Sequence, residues 1–274
     1  AHAGLLSGVD THDPHHNDLL LASQRPTLVW HFARHGYRTV GWMPGLQRPW
    51  PEGSFYGFDR VAGANGIGYA GPAFGYWRIP DQAAMALLHA QELAGAAGER
   101  APRFIVFPTL NTHAPFRPLP PYLTDWSQAA RADAYTPEQH AAALAAEVSW
   151  QNATQPYIDS LRYQFDWLAG YLSQRAPRKL VLIVVGDHQP LAAVSGPNAS
   201  WDVPVHVVCD DPALLQRFIE RGFAPGVLPP AATLGPMHGL TRVLLEVFHD
   251  AGDAGPAGTQ ARRPPLNELK TTAG

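Results

Sequence analysis

Three short aliphatic runs that do not alternate constrain the architecture most: RFIVFP at 103–108, KLVLIVV at 179–185 and VPVHVVC at 203–209. A strand with one face in water alternates apolar and polar residues, so a run that is aliphatic on both faces belongs to a strand covered on both. A weaker fourth run, RTVGW, occupies 38–42. Helices are predicted at 25–35, 81–97, 137–150, 156–174, 212–221 and 236–248, several of them opened by proline, with Gly36 and Gly222 as C-terminal stops. Buried strands alternating with helices predict an α/β fold, a doubly wound and mainly parallel sheet with helices on both faces.

The chain of 274 residues is long enough for one large domain or two small ones. At 46% hydrophobic and 16% charged it has the apolar material to fold. A body over 1–250 is expected, followed by a tail at 251–274 whose Gly, Ala and Pro content predicts fraying. The formal charge is −3, and no basic cluster is longer than the pairs Arg178-Lys179 and Arg262-Arg263, which argues against nucleic acid and anionic membrane as partners. The single cysteine, Cys209, excludes an internal disulfide and a Cys-rich zinc site. No apolar run approaches the roughly 18 residues of a membrane span. The 13 histidines outnumber the lysines, which directs attention to metal or phosphate chemistry.

The run at 179–185 passes directly into Asp187 and His188. A carboxylate and an imidazole at the end of a core strand are an oxygen and nitrogen donor pair suited to Zn²⁺ or Mn²⁺; the bland alternative is a polar turn capped by Asp187. The run at 103–108 leads in the same way to Asn111, Thr112 and His113. On parallel strands His113 would lie at the same edge as the Asp-His pair, though a histidine there can equally be an ordinary loop residue. The cluster of Asp10, His12, Asp13, His15, His16 and Asp18 invites a metal reading, but it contains no helical i, i+4 pair followed by a distant third ligand, and loop polarity explains it equally well. Two long Pro/Gly-rich loops, 43–80 and 114–122, are the places where an α/β protein keeps a site. Gly66, Gly68 and Gly71 fit a dinucleotide fingerprint, yet no strand is predicted before them and Pro72 follows where a helix should open. Asn152 and Asn198 lie in glycosylation sequons, which occur by chance.

Taken in order, the segments resemble the sulfatase-like branch of the alkaline phosphatase superfamily. HAGLLSG at 2–8 resembles the family's R-A-x-L-L-T-G helix, and DTHDPHHND the His-containing loop after it. TLVWHFARHGYRT resembles the helix and strand ending in G-Y-x-T, FYGFDRV the x-G-F-D segment, and PTLNTHAPF the H-x-P-F strand end. YIDSLRYQFDWLAGYL is similar to the long helix before the metal-binding strand, IVVGDHQP to S-D-H-G, and MHGLTRVLLEVF to H-x-D-L-x-P-T-L-L-x-L. The resemblance covers roughly residues 2 to 250.

It implies an active site at the carboxyl ends of the strands, where a Ser, Thr or formylglycine nucleophile attacks sulfur or phosphorus and a metal assists. By position, Asp187 and His188 become metal ligands, His113 a hydrogen-bond donor or acid facing the transferred group, and His238 a substrate contact. The family's K-x-H after the G-Y-x-T strand is replaced here by Trp42, Met43 and Pro44, which disfavours a sulfate ester. The stretch 41–59 looks more like the phosphoethanolamine and lipoteichoic-acid transferase relatives, which makes Arg48 a substrate-binding candidate. An Asp-His pair in place of Asp-Asn leans toward Zn²⁺ or Mn²⁺ over Ca²⁺.

In the family register His2 takes the Arg position, so the nucleophile falls before Ala1 and the first strand with its acidic ligands further upstream. Ser7 is not the nucleophile by that register. The first residue is Ala, and the expectation is an N-terminally incomplete catalytic domain lacking the family's first strand, catalytically silent alone. The substrate would be a phosphate or sulfate ester. Relatives imply action in the periplasm or at the extracellular face of the bacterial inner membrane, with membrane attachment only through a missing N-terminal segment. The rival reading is a non-catalytic binding or structural remnant of the same fold.

Overall fold

The computed structural model describes residues 1–95, 100–174, 176 and 179–249; the tail predicted at 251–274 lies outside the described residues. In chain order the elements are α1 (His2–Ser7), α2 (Pro14–Ala22), α3 (Leu28–Arg34), β1 (Arg38–Trp42), α4 (Gly53–Tyr56), β2 (Arg60–Ala62) and α5 (Asp81–Leu88), which runs into a π-helical turn at His89–Leu93. Then follow β3 (Arg103–Val106), α6 (Pro137–Leu144), α7 (Thr154–Gln174), β4 (Val181–Val185), α8 (Ala192–Ser195), β5 (Val205–Cys209), α9 (Pro212–Glu220) and α10 (Met237–Phe248). Among the described residues no helix is long and apolar enough to cross a membrane.

β1 is the middle of a three-stranded parallel sheet in the order β2-β1-β3. Its inner position explains why Thr39, Val40 and Trp42 are all fully buried. Above it α5 and α7 contribute Met85, Leu88, Trp167 and Tyr171 to one apolar cluster, which Val40 and Trp42 join. The Trp42 indole is satisfied by the Ala84 carbonyl at 3.0 Å. On the opposite face α1, α3, α9 and α10 contribute Leu6, Phe32, Phe218 and Leu244 to a second cluster. β4 and β5 form a separate antiparallel pair; β4 lies between the same two clusters, and β5 packs on the second through Val205 and Val207. Leu182 and Val184 join the first with Ile105 of β3, and Ile183 joins the second with Phe104 and Val106. The strands therefore occupy one layer between two layers of helices, as the α/β reading requires.

Helix α7 fixes the direction of β4. Its start touches the loop after β3, through Arg117–Asp159 at 2.6 Å and the Phe116–Tyr157 ring pair at 5.1 Å. Its far end carries Tyr171, which contacts His89 and lies in the field of Arg100, just before β3 begins. β3 thus runs opposite to α7. β4 begins directly beyond the end of α7, and its residue Val184 pairs with His206, whose ring meets Phe165 earlier on that helix. β4 also runs opposite to α7, so the carboxyl ends of β3 and β4 lie at the same end of the layer.

At the other end, the first residues of the three parallel strands, Arg38, Arg60 and Arg103, converge on Glu92 at 2.9, 2.9 and 3.2 Å. The Glu92 side chain is 3% exposed. Burial alone would raise its pKa, but hydrogen bonds from Arg38 and Arg60 hold it down at about 2. This cluster ties three strand starts to the turn after α5.

Several predicted bounds shift. The helix expected at 137–150 ends at Leu144, since Ala145 already acts as its cap, and Val148 and Trp150 are exposed instead of packed. The helix expected at 25–35 starts only at Leu28, with the Thr27 hydroxyl accepting from the Trp30 amide. β2 falls inside a stretch read as loop. The polar cluster at 10–18 is a turn and helix start, with Asp13 capping α2 through the His15 amide. The parallel arrangement holds for β2-β1-β3, but β5 returns antiparallel to β4. The link between them carries only the four-residue α8, which rises about 6 Å, well short of the length of a strand, so it does not carry the chain back for a parallel crossover.

Candidate functional site

The loop beyond β3 is held by a buried clamp. Asp81, at the start of α5, accepts the Leu110 and Asn111 amides at 2.8 Å each, and its own amide donates to the Asn111 side-chain oxygen at 2.8 Å. Asp81 is fully buried, and burial pushes its carboxyl up to about 7 against the opposing effect of the two amide bonds. Two residues on, His113 is exposed. Its Nδ1 lies 2.7 Å from the Ala114 carbonyl, so Nδ1 carries the proton and Nε2 is open to a ligand. The ring meets Trp77 edge-on at 4.8 Å, at the side of a cavity of about 170 Å³ lined also by Tyr76, Asn111 and Arg117. The Arg117 guanidinium is already paired with Asp159.

Arg48 lies in the loop that follows the carboxyl end of β1 and is exposed. That loop reaches the wall of the His113 cavity: Gln47 donates to the Tyr76 carbonyl at 3.2 Å, and a Cβ added at Gly45 would meet Leu110 at 2.9 Å. A side chain at Gly45 would require the Leu110 side chain to shift.

Asp187 and His188 follow β4, both exposed. Asp187 Oδ1 accepts the His188 amide at 2.9 Å, and Asp187 Oδ2 lies 3.6 Å from His188 Nε2. His188 Nδ1 is 2.7 Å from the Gln189 carbonyl, which fixes the proton on Nδ1 and leaves the Nε2 lone pair beside the carboxylate. The donor set and tautomer suit a zinc or manganese ion. Among the described residues, however, no group of three or more His, Cys, Asp or Glu side chains is arranged to hold a metal. The pair alone would supply two of the about four donors that a zinc ion takes.

One further histidine, His2, stands near the pair. His2, which sequence reasoning did not assign to the site, is the first residue of α1, and burial lowers its pKa while Asp187 opposes that shift. His238 lies in the first turn of α10, its Cβ 3.6 Å from where a Cβ on Gly4 of α1 would be. The signal for His2 was its place in HAGLLSG. Ser7 is 3% exposed, its hydroxyl donating to the Ala3 carbonyl at 2.6 Å and accepting from the Val9 amide at 3.2 Å. It is not poised for attack. His113 and the Asp187-His188 pair share one end of the layer, but no hydrogen bond or ion pair links them among the described residues.

A family model described as Sulfatase matches residues 3–203. No significant match was found among curated proteins or among solved structures. The matched stretch runs from the first helix through β4 and its Asp-His turn, well over half of the chain, and with the α/β layering around it the chain belongs to the sulfatase family.

Proposed function

We propose that the protein is a metal-assisted hydrolase or transferase of phosphate or sulfate esters, with phosphoryl esters favoured, and that Asp187 and His188 are two of its metal ligands. The observation that carries this reading is the His188 imidazole, locked by the Gln189 carbonyl with its Nε2 lone pair beside the Asp187 carboxylate. A bound Zn²⁺ or Mn²⁺ would neutralise anionic ester oxygens and lower the pKa of a nucleophile. The remaining ligands and the nucleophile come from outside the described residues, a reading that the burial and hydrogen bonding of Ser7 support.

His113 serves the leaving group. With Nδ1–H held on the Ala114 carbonyl, its imidazolium form carries a second proton on Nε2, and that proton passes to the departing alkoxide as the ester bond breaks. The cavity beside Trp77 receives the alcohol portion of the ester. Arg48 and His238 bind its anionic oxygens. The replacement of the family's K-x-H by Trp42, Met43 and Pro44 supports phosphate over sulfate and kinship with the phosphoethanolamine and lipoteichoic-acid transferases. By the same kinship the protein acts in the periplasm or on the outer face of the inner membrane.

The test is turnover by the whole gene product on bis-p-nitrophenyl phosphate, p-nitrophenyl phosphate and p-nitrophenyl sulfate, with Zn²⁺, Mn²⁺ or chelator. Metal-dependent turnover with phosphodiester ahead of sulfate is expected. Preference for sulfate overturns the phosphoryl assignment, and inertness toward all three favours a non-catalytic binding module.

A further inference from the structure

We propose that the cavity beside His113 is a subsite for a neutral, polyhydroxylated six-membered ring, a sugar or a cyclitol, which Asn111 selects by donating from Nδ2. The proposal rests on the ester reading only in taking that ring as the alcohol portion. Asn111 is 8% exposed and lines the cavity. The Asp81 amide donates to its Oδ1 at 2.8 Å, which fixes the orientation of the carboxamide and turns both Nδ2 protons away from Asp81. Among the described residues no acceptor takes either proton, and Nδ2 is not sealed off from open space. The Asp81 clamp therefore holds an unpartnered donor, more than nine-tenths buried, at the cavity wall.

The rest of the wall is aromatic and closely packed. Phe74 and Phe116 are each 3% exposed. Phe116 holds a φ of +64°, an uncommon conformation for a bulky residue. Gly75 packs directly on Pro118, where a Cβ would come within 2.6 Å of the ring. Tyr76 and Trp77 complete the lining, with Trp77 edge-on to His113.

The chemistry of the occupant follows from these walls. Aromatic rings gain dispersion contact against the C–H face of a saturated ring. The Arg117 guanidinium is paired with Asp159 at 2.6 Å, and His113 is the only other titratable residue of the lining with a cationic form, so nothing there calls for an ionic group. With the ester oxygen served by His113, the Nδ2 protons of Asn111 need a further oxygen on the same ring. An aryl or alkyl alcohol has none and leaves two N–H groups unpaired, the situation in which a site rejects an analogue that lacks a hydroxyl by orders of magnitude. Pockets for drug-sized ligands run to roughly 300–1,000 Å³, so a cavity of about 170 Å³ holds a single ring.

The experiment is titration of the protein, with neither metal nor ester present, with methyl α-D-glucopyranoside and with myo-inositol, followed through the Asn111 side-chain amide in proton–nitrogen spectra. Phenol and butanol are the controls. At least one ring should shift the Asn111 Nδ2 signals and bind tenfold or more tightly than either control; binding of the glucoside alone names a sugar, of inositol alone a cyclitol. Asn111→Asp keeps an oxygen for the Asp81 amide and loses both donors, whereas Trp77→Leu keeps Asn111 and removes a ring from the wall. Each should weaken binding at least tenfold while the backbone amide spectrum stays that of a folded protein; should a variant not fold, the wild-type shift decides. No Asn111 shift with either ring at molar concentration, a control that binds as tightly, or unchanged affinity in Asn111→Asp would each overturn the proposal. Ring binding by a protein inert toward the three nitrophenyl esters would leave this subsite standing and remove the ester reading alone.

Discussion

Replacing Asp81 by Ala removes the acceptor for two buried amides, those of Leu110 and Asn111, that hold the loop carrying His113. A buried donor left without a partner costs about 1–3 kcal/mol, so Asp81→Ala should destabilise the fold by about 2–6 kcal/mol. Asp81→Asn keeps one side-chain oxygen and should cost about half as much. The pH dependence separates the two states of the carboxyl. Its pKa is raised by burial from an ordinary 3.8 to about 7, so between those values the unfolded chain has released the proton that the native chain still holds. Stability from this group is therefore complete below about pH 4, declines as pH rises toward 7 and is flat beyond. At about 1.4 kcal/mol per pH unit the decline between pH 5 and 7 approaches ~3 kcal/mol. Asn does not titrate, so the wild type's advantage over Asp81→Asn should shrink by that amount from pH 5 to pH 8. Urea unfolding followed by fluorescence of the eight tryptophans measures it. An unchanged urea midpoint in Asp81→Ala, or an advantage that grows with pH, would refute the reasoning.

Two other substitutions test separate parts of the account. Glu92→Gln should cost about 2–3 kcal/mol near neutral pH; the native pKa of about 2 lies below the ordinary 4.5, so this stabilisation is present above pH 4.5 and fades as pH falls toward 2, a dependence the Gln variant should lack in acid unfolding curves. His113→Ala should lower kcat of the whole gene product about 10²- to 10⁴-fold while metal content and Tm stay near wild type, because the ring is exposed; full turnover, or a collapse in Tm, contradicts its role.

Among the described residues the main helices and four of the five strands were legible because their signals are local: aliphatic runs without alternation, and proline at helix starts. The order of the layer was not. Nothing in 179–209 announces that β5 turns back on β4, since that depends on how short α8 is. β2 was hidden because Arg60–Ala62 is too short to show a period. At the candidate site, Asp187, His188 and His113 were legible as polar residues in the segments that follow aliphatic strands. Asp81 and Glu92 were not, because their partners lie 29 or more residues away (Leu110, Asn111 and Arg60) or on another element (Arg103). A carboxylate in a helix pattern carries no mark of such partners. His2 was visible only through its motif, and its nearness to Asp187 appeared once α1 and α10 were packed together.

The most direct measurement is a long-range proton–nitrogen spectrum of the histidine side chains in the whole gene product during titration with Zn²⁺, repeated with Asp187→Asn and His188→Ala. The account predicts that metal-free His188 carries its proton on Nδ1, that zinc perturbs its Nε2 resonance while Nδ1–H stays protonated, and that either substitution weakens zinc at least tenfold. Zinc that binds both variants as tightly as wild type, with the His188 resonances unmoved, would contradict it.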